Sequence, residues 1–215
     1  LPLGANMPLP MHEKFLVNFL CLLCGDSSGH TDEAIPGLAT ACIKAAYEDR
    51  KPENHPRRYA PNVNRDVEEA LKSSAVDIHT HKNWFDIRDL FFDAGNVHLA
   101  AIAQRYAVPM LSEIGSKAQS ALIADSYKKT VAGEPITRFF YRKINEAIQR
   151  IPILDGASRF TLDDARVVAL DLDEVAPNAG GEASGWLAAV AVMLSRHLLA
   201  SRFFVMPEDA QLFEP

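Results

Sequence analysis

The sequence predicts a mainly α protein of about six or seven helices, with one buried β-strand near its C-terminal end. Two observations lead there. Apolar residues recur at i, i+4 and i+7 through most of residues 1–150, the spacing that puts them on one face of a helix. Only Val167-Val168-Ala169-Leu170 breaks this habit, as an apolar run with no polar alternation until acids appear, the pattern of a strand buried on both faces.

The elements follow in order. His12 to Cys24 sets Phe15, Phe19, Leu22 and Leu23 on one stripe, and Gly25 is placed to stop it. After a polar loop to Asp32, Pro36 sits near the first turn of a helix running to about Arg50, where its missing N–H costs little. Lys51 to Asn62 holds three prolines and no period, so a surface loop is expected. Asn64 to Ala75 reads as a charged amphipathic helix with a Glu68–Lys72 pair one turn apart. Asp86 to Ala107 is helical, with a break or kink at Gly95-Asn96. Pro109 to Lys129 and Gly133 to Arg150 are expected as two more helices, the second burying Ile136, Phe139, Phe140, Ile144 and Ile148. The strand over 166–173 and a last helix, about Ser184 to Phe204, follow a change of character after Ile151. Two units are expected: a helical domain over 1–150 and a strand-bearing part over 151–215.

Composition narrows the function. A hydrophobic share of 48% and a charged share of 23% suit a soluble globular chain of 215 residues. A net charge of −6 argues against direct nucleic-acid binding, which needs a basic face. The longest apolar stretches, Phe15 to Cys24 and Leu187 to Leu199, are too short and too interrupted to span a bilayer. The first residues lack the basic start of a secretory signal, and position 1 is not methionine, so a piece of a longer protein is expected. Three cysteines point to reduced thiols and a cytoplasmic setting.

The chemistry centres on Val167-Val168-Ala169-Leu170-Asp171-Leu172-Asp173-Glu174. This has the form of a Walker B strand, whose terminal acid meets magnesium through water and whose next acid handles the attacking water. Asp173 is the candidate magnesium ligand and Glu174 the candidate general base, with Asp171 the rival for the metal. A strand ending in solvated acids is equally common in α/β proteins. The partner motif, G-x-x-x-x-G-K-[ST], is absent from the sequence, so tight ATP binding by this chain alone is not expected.

Four longer stretches carry a resemblance. They are Pro8-Leu-Pro-Met-His-Glu-Lys-Phe-Leu-Val-Asn-Phe-Leu20, Arg88-Asp-Leu-Phe-Phe-Asp-Ala-Gly-Asn96, Ala103-Gln-Arg-Tyr-Ala-Val-Pro-Met-Leu-Ser-Glu113 and Asp164-Ala-Arg-Val-Val-Ala-Leu-Asp-Leu-Asp-Glu-Val-Ala-Pro177. Through them the chain resembles the ATPases of type IV secretion and conjugation systems, in particular the IcmB/DotO and TraU branch, relatives of the VirB-type ATPases. The resemblance implies a RecA-like motor with a helical insertion between its phosphate loop and its Walker B strand. It also implies ATP and Mg2+ as cofactors of the intact protein, a ring-like homo-oligomer, and partners among secretion components at the inner membrane. The chain departs from that pattern at Ala183-Ser184-Gly185-Trp186, where a polar turn with Arg and Gln is expected.

Other constellations are weaker. Asp77-Ile-His79-Thr-His81 has the His-x-His spacing of a metal-dependent hydrolase, but only two apolar residues precede it; His98 and His197 fall in expected helices. Cys21-Leu-Leu-Cys24 has redox spacing inside an apolar helix, where buried small hydrophobes explain both sulfurs. Ser112 and Ser116 have no base near them in sequence, and Trp84, Phe85, Phe91 and Phe92 read as core. Arg138, Arg142 and Lys143 read as surface charges of a helix. A non-catalytic helical interaction module is the alternative to the ATPase reading.

Overall fold

The computed structural model describes residues 3–25, 30–73, 83–157 and 182–203. It is mainly helical. Helix α1 (Pro10–Cys24) starts on a proline, carries Glu13 in its first turn and buries Phe19, Leu20, Leu23 and Cys24. It ends before Gly25 in extended backbone, so the left-handed freedom of glycine is not used there. Helix α2 (Ile35–Arg50) also has its proline in the first turn and buries Leu38, Cys42, Ile43 and Tyr47.

Asn side chains start the next three helices. The Asn64 carboxamide accepts from Val67 N–H at 3.0 Å ahead of α3 (Arg65–Ser73). Asn83 and Asp86 form a reciprocal capping box at α4 (Trp84–Asp93), and Asn96 accepts from Leu99 N–H to open α5 (Val97–Ala107). Between α4 and α5, Gly95 adopts φ +75°, a left-handed conformation that costs glycine little. The expected break therefore lies at the expected place.

Two expectations are corrected. Pro109–Lys129 is not one helix but two, α6 (Leu111–Lys117) and α7 (Ala121–Ser126). No breaker marks the split; Ala118 is fully buried at the turn, so packing sets it. Residues 133–135 do not begin a helix either. Strands β1 (Thr130–Val131) and β2 (Glu134–Pro135) pair antiparallel across Ala132 and Gly133, both at positive φ, before α8 (Ile136–Arg150). A 3-10 turn (Pro152–Asp155) and α9 (Glu182–Phe203) complete nine α-helices among the described residues, more than expected because long periodic stretches are subdivided.

These elements build two hydrophobic cores. The larger gathers α1, α2, α6, α7 and α8, with Val190 of α9. The smaller gathers α3, α4 and α5 around Val67, Leu71, Trp84, Phe85 and Phe91. The extensive helix pairs, α4 with α5 and α1 with α2, each lie within one core. Phe92 departs from the expected burial: at 53% exposure it faces outward. No described helix is long and apolar enough to cross a membrane.

Candidate functional site

Asp171, Asp173 and Glu174 lie outside the described residues, as do Asp77, His79 and His81. Among the described residues no group of three or more His, Cys, Asp or Glu side chains could hold a metal ion. Of the weaker candidates, Cys24 is buried and its thiol is pushed up to about 12 by burial, as is Cys42, which keeps both sulfurs protonated and inert at neutral pH. The Ser116 hydroxyl donates to the Glu113 carbonyl one turn back, spending its proton within its own helix. Glu68 and Lys72 pair at 2.9 Å on the surface of α3, as their spacing predicts.

Arg142, read as a surface charge, bridges two carboxylates, Glu134 at 2.6 Å and Glu146 at 2.5 Å, and so fastens the β-hairpin to α8. Arg88 is buried, its guanidinium held by Asp89 at 2.6 Å and Asn6 at 3.0 Å and lying 5.0 Å from the centre of the Phe85 ring. Those contacts neutralise and solvate a cation that could not otherwise enter the core.

A cluster of charges joins α2, the loop after it and α6. Helix α6 opens with Glu113 in its first turn, and the Met110 N–H donates to Glu113 Oε2 at 2.8 Å. The same carboxylate takes the Arg50 guanidinium from the end of α2 and the Arg57 guanidinium, at 2.6 Å, from the loop after it. Partial burial alone would raise the Glu113 pKa. The Arg50 and Met110 hydrogen bonds and the charges of both arginines outweigh it and hold the carboxyl below its usual range. Glu113 is therefore an ionised acceptor at neutral pH, not a proton donor.

Beside it, Asp49 accepts from Lys117 at 2.7 Å and pairs with His55 Nδ1 at 2.9 Å. The Lys117 hydrogen bond leads in holding the Asp49 pKa low. A cleft of about 280 Å³ is lined by Leu3, Tyr47 of α2, Ala101, Gln104 and Arg105 of α5, and Val108. Sequence reasoning missed this cluster. Arg57 and Glu113 are 56 residues apart, and no local spacing announces a pair at that distance.

No protein-family model, characterised protein or solved structure matches this chain.

Proposed function

We propose that the chain is part of a P-loop ATPase that energises type IV secretion or conjugative transfer, supplying a helical insertion and the Walker B acids of a RecA-like motor. The observation that carries this reading is the sequence resemblance over four separate stretches. Three of them fall on the described body: the first on α1, the second on α4 and its turn, the third from α5 into α6. A mainly helical body is compatible with the expected insertion.

In this reading Asp173 holds magnesium through water, with Asp171 its rival, and Glu174 orients the attacking water and takes its proton. Magnesium, when bound, neutralises charge on the phosphates. The loop that cradles the triphosphate has no counterpart in this sequence, so this chain alone does not make a complete ATP site. The intact protein is then a cytoplasmic ring at the inner membrane, held there by other secretion components. A second reading, a non-catalytic helical interaction module, is favoured by outward-facing apolar side chains, among them Phe92, Val97 and Leu122.

Calorimetry with Mg·ATP and a phosphate-release assay test the proposal. The isolated chain should neither bind ATP tightly nor turn it over. In the intact protein Glu174→Gln should abolish hydrolysis and spare nucleotide binding; full activity of that variant refutes the role given to Glu174. Stoichiometric zinc in the purified chain would instead favour a hydrolase using Asp77, His79 and His81.

A further inference from the structure

The chain leaves the larger core after α2 and returns to it at α6, so the α3–α5 lobe is joined by two adjacent linkers, 51–64 and 108–110. Both are proline-bearing. The first linker is fastened to the smaller lobe. Trp84 N–H donates to the Arg57 carbonyl at 3.0 Å, and the Tyr59 ring meets the edge of Trp84 at 5.0 Å. Trp84 in turn stacks on Tyr106 at 4.6 Å. Arg57 thus travels with the smaller lobe, while Glu113 belongs to α6, packed in the larger core against α2 and α8.

One guanidinium spans the gap. Arg57 Nη1 donates to the Tyr106 carbonyl at 2.9 Å within its own lobe, and Nη2 donates to Glu113 Oε2 at 2.6 Å across the seam. The seam is thinly packed: among the described residues no helix of one lobe packs extensively on a helix of the other, and a cleft lies between Tyr47 of α2 and Ala101 and Gln104 of α5. The N-terminal segment also crosses it, through Gly4 N–H to Gln104 Oε1 at 2.9 Å and through the Asn6–Arg88 contact. Two packed cores joined by short linkers and a thin seam form a hinge, because packed cores rotate as bodies and linkers absorb the change.

We infer that the α3–α5 lobe is hinged on the larger helical core about these two linkers, with the Arg57–Glu113 ion pair as the latch that holds the two lobes together. The inference does not depend on the ATPase reading. Arg50 keeps Glu113 paired when the latch opens, so opening leaves no half-buried charge without a partner. On opening, Arg57 Nη2 exchanges Glu113 for water while Nη1 keeps the Tyr106 carbonyl of its own lobe.

Arg57→Gln removes the charge yet leaves Glu113 its Arg50 partner and its Met110 hydrogen bond. Spin labels at Phe92→Cys and Leu122→Cys, both exposed positions on opposite lobes, report the hinge in a Cys21→Ser background. Hydrogen exchange reports it without labels. In Arg57→Gln the label distances should broaden into a second population. Exchange at 104–113 should quicken about tenfold, while the amides of α1, α2 and α8 keep their protection. Arg57→Lys should fall between the two. Unchanged distances and exchange in the variant overturn the hinge; faster exchange spread evenly over both lobes overturns the latch and leaves Arg57 a general stabiliser. Should the variant fail to fold, Arg57→Lys, which keeps the charge but cannot span both the Tyr106 carbonyl and Glu113 as a fork, must show the same second distance, and a single unchanged distance there refutes the inference.

Discussion

The indole N–H of Trp186 donates to the Leu22 carbonyl at 3.3 Å. Leu22 lies in the last turn of α1, and its carbonyl also accepts from the Gly25 N–H at 3.3 Å. The indole is thus a second donor to this carbonyl, and it anchors α9 to α1. The Arg150 guanidinium lies 5.9 Å from the Trp186 ring and ties the end of α8 into the same corner.

Trp186→Phe keeps most of the apolar contact and removes the donor, so it should cost about 1 kcal/mol in a denaturant titration. Trp186→Ala loses the contact too and should cost about 2 kcal/mol, less than a fully buried tryptophan would. The chain has two tryptophans, and Trp84 is deeply buried. A Trp84→Phe background therefore lets Trp186 fluorescence follow α9 alone. Equal stability of the phenylalanine and alanine variants would refute the packing part of this account.

Much of the helical layout was legible because it depends on local rules. Periodicity marks α1, α4, α5 and α8, Pro36 marks the start of α2, and the Gly95-Asn96 pair marks the turn between α4 and α5. The split between α6 and α7 was not legible, since Ala118-Gln119-Ser120 holds no strong breaker and the chain turns to bury Ala118. The hairpin escaped because each of its strands has only two residues, too few for alternation to register. The division into two cores depends on contacts between residues far apart, and the Arg57–Glu113 pair belongs to that class. Asp173 and Glu174 stand out in the sequence as a motif alone, and both lie outside the described residues.

A pH effect follows from the corner where α1 meets α9. The His197 ring stacks on Phe15 with centroids 3.6 Å apart, and His12 meets His197 edge-on at 5.9 Å. The Nδ1 of His12 is buried without a hydrogen-bond partner. Burial disfavours the charged ring and lowers the pKa of both histidines, that of His12 to about 4. An unfolded histidine titrates near 6.5, so below that pH the unfolded chain takes up protons that the folded one refuses. Stability should be level above about pH 7, fall as pH drops through 6.5 and flatten below about 4 for His12. The loss should be on the order of 1 kcal/mol at pH 5, since both rings are only half-buried and water screens their charge. Urea midpoints at pH 7 and 5 measure it. His12→Phe should reduce the difference, and an unchanged difference there would assign the effect to other groups.

The packing of α6 on α8 sets the last prediction. A Cβ built on Gly115 would stand 3.1 Å from Ile144 Cγ2 and 3.4 Å from both Ile144 Cβ and Cδ1. Replacing a helical glycine with alanine ordinarily stabilises by about 1 kcal/mol through helix propensity. Here Ile144 is fully buried within the larger core, so its side chain cannot swing away into solvent. Overpacking of this kind costs about 1–3 kcal/mol, enough to reverse the gain. Gly115→Ala should therefore leave the chain no more stable, and more often less stable, than the wild type. Ile144→Val removes one contacting methyl and lets the branch shift, so the double variant should lose less than the sum of the two single losses. A thermal or urea titration of all four proteins closes the cycle. Strict additivity would show that Gly115 owes its place to something other than Ile144.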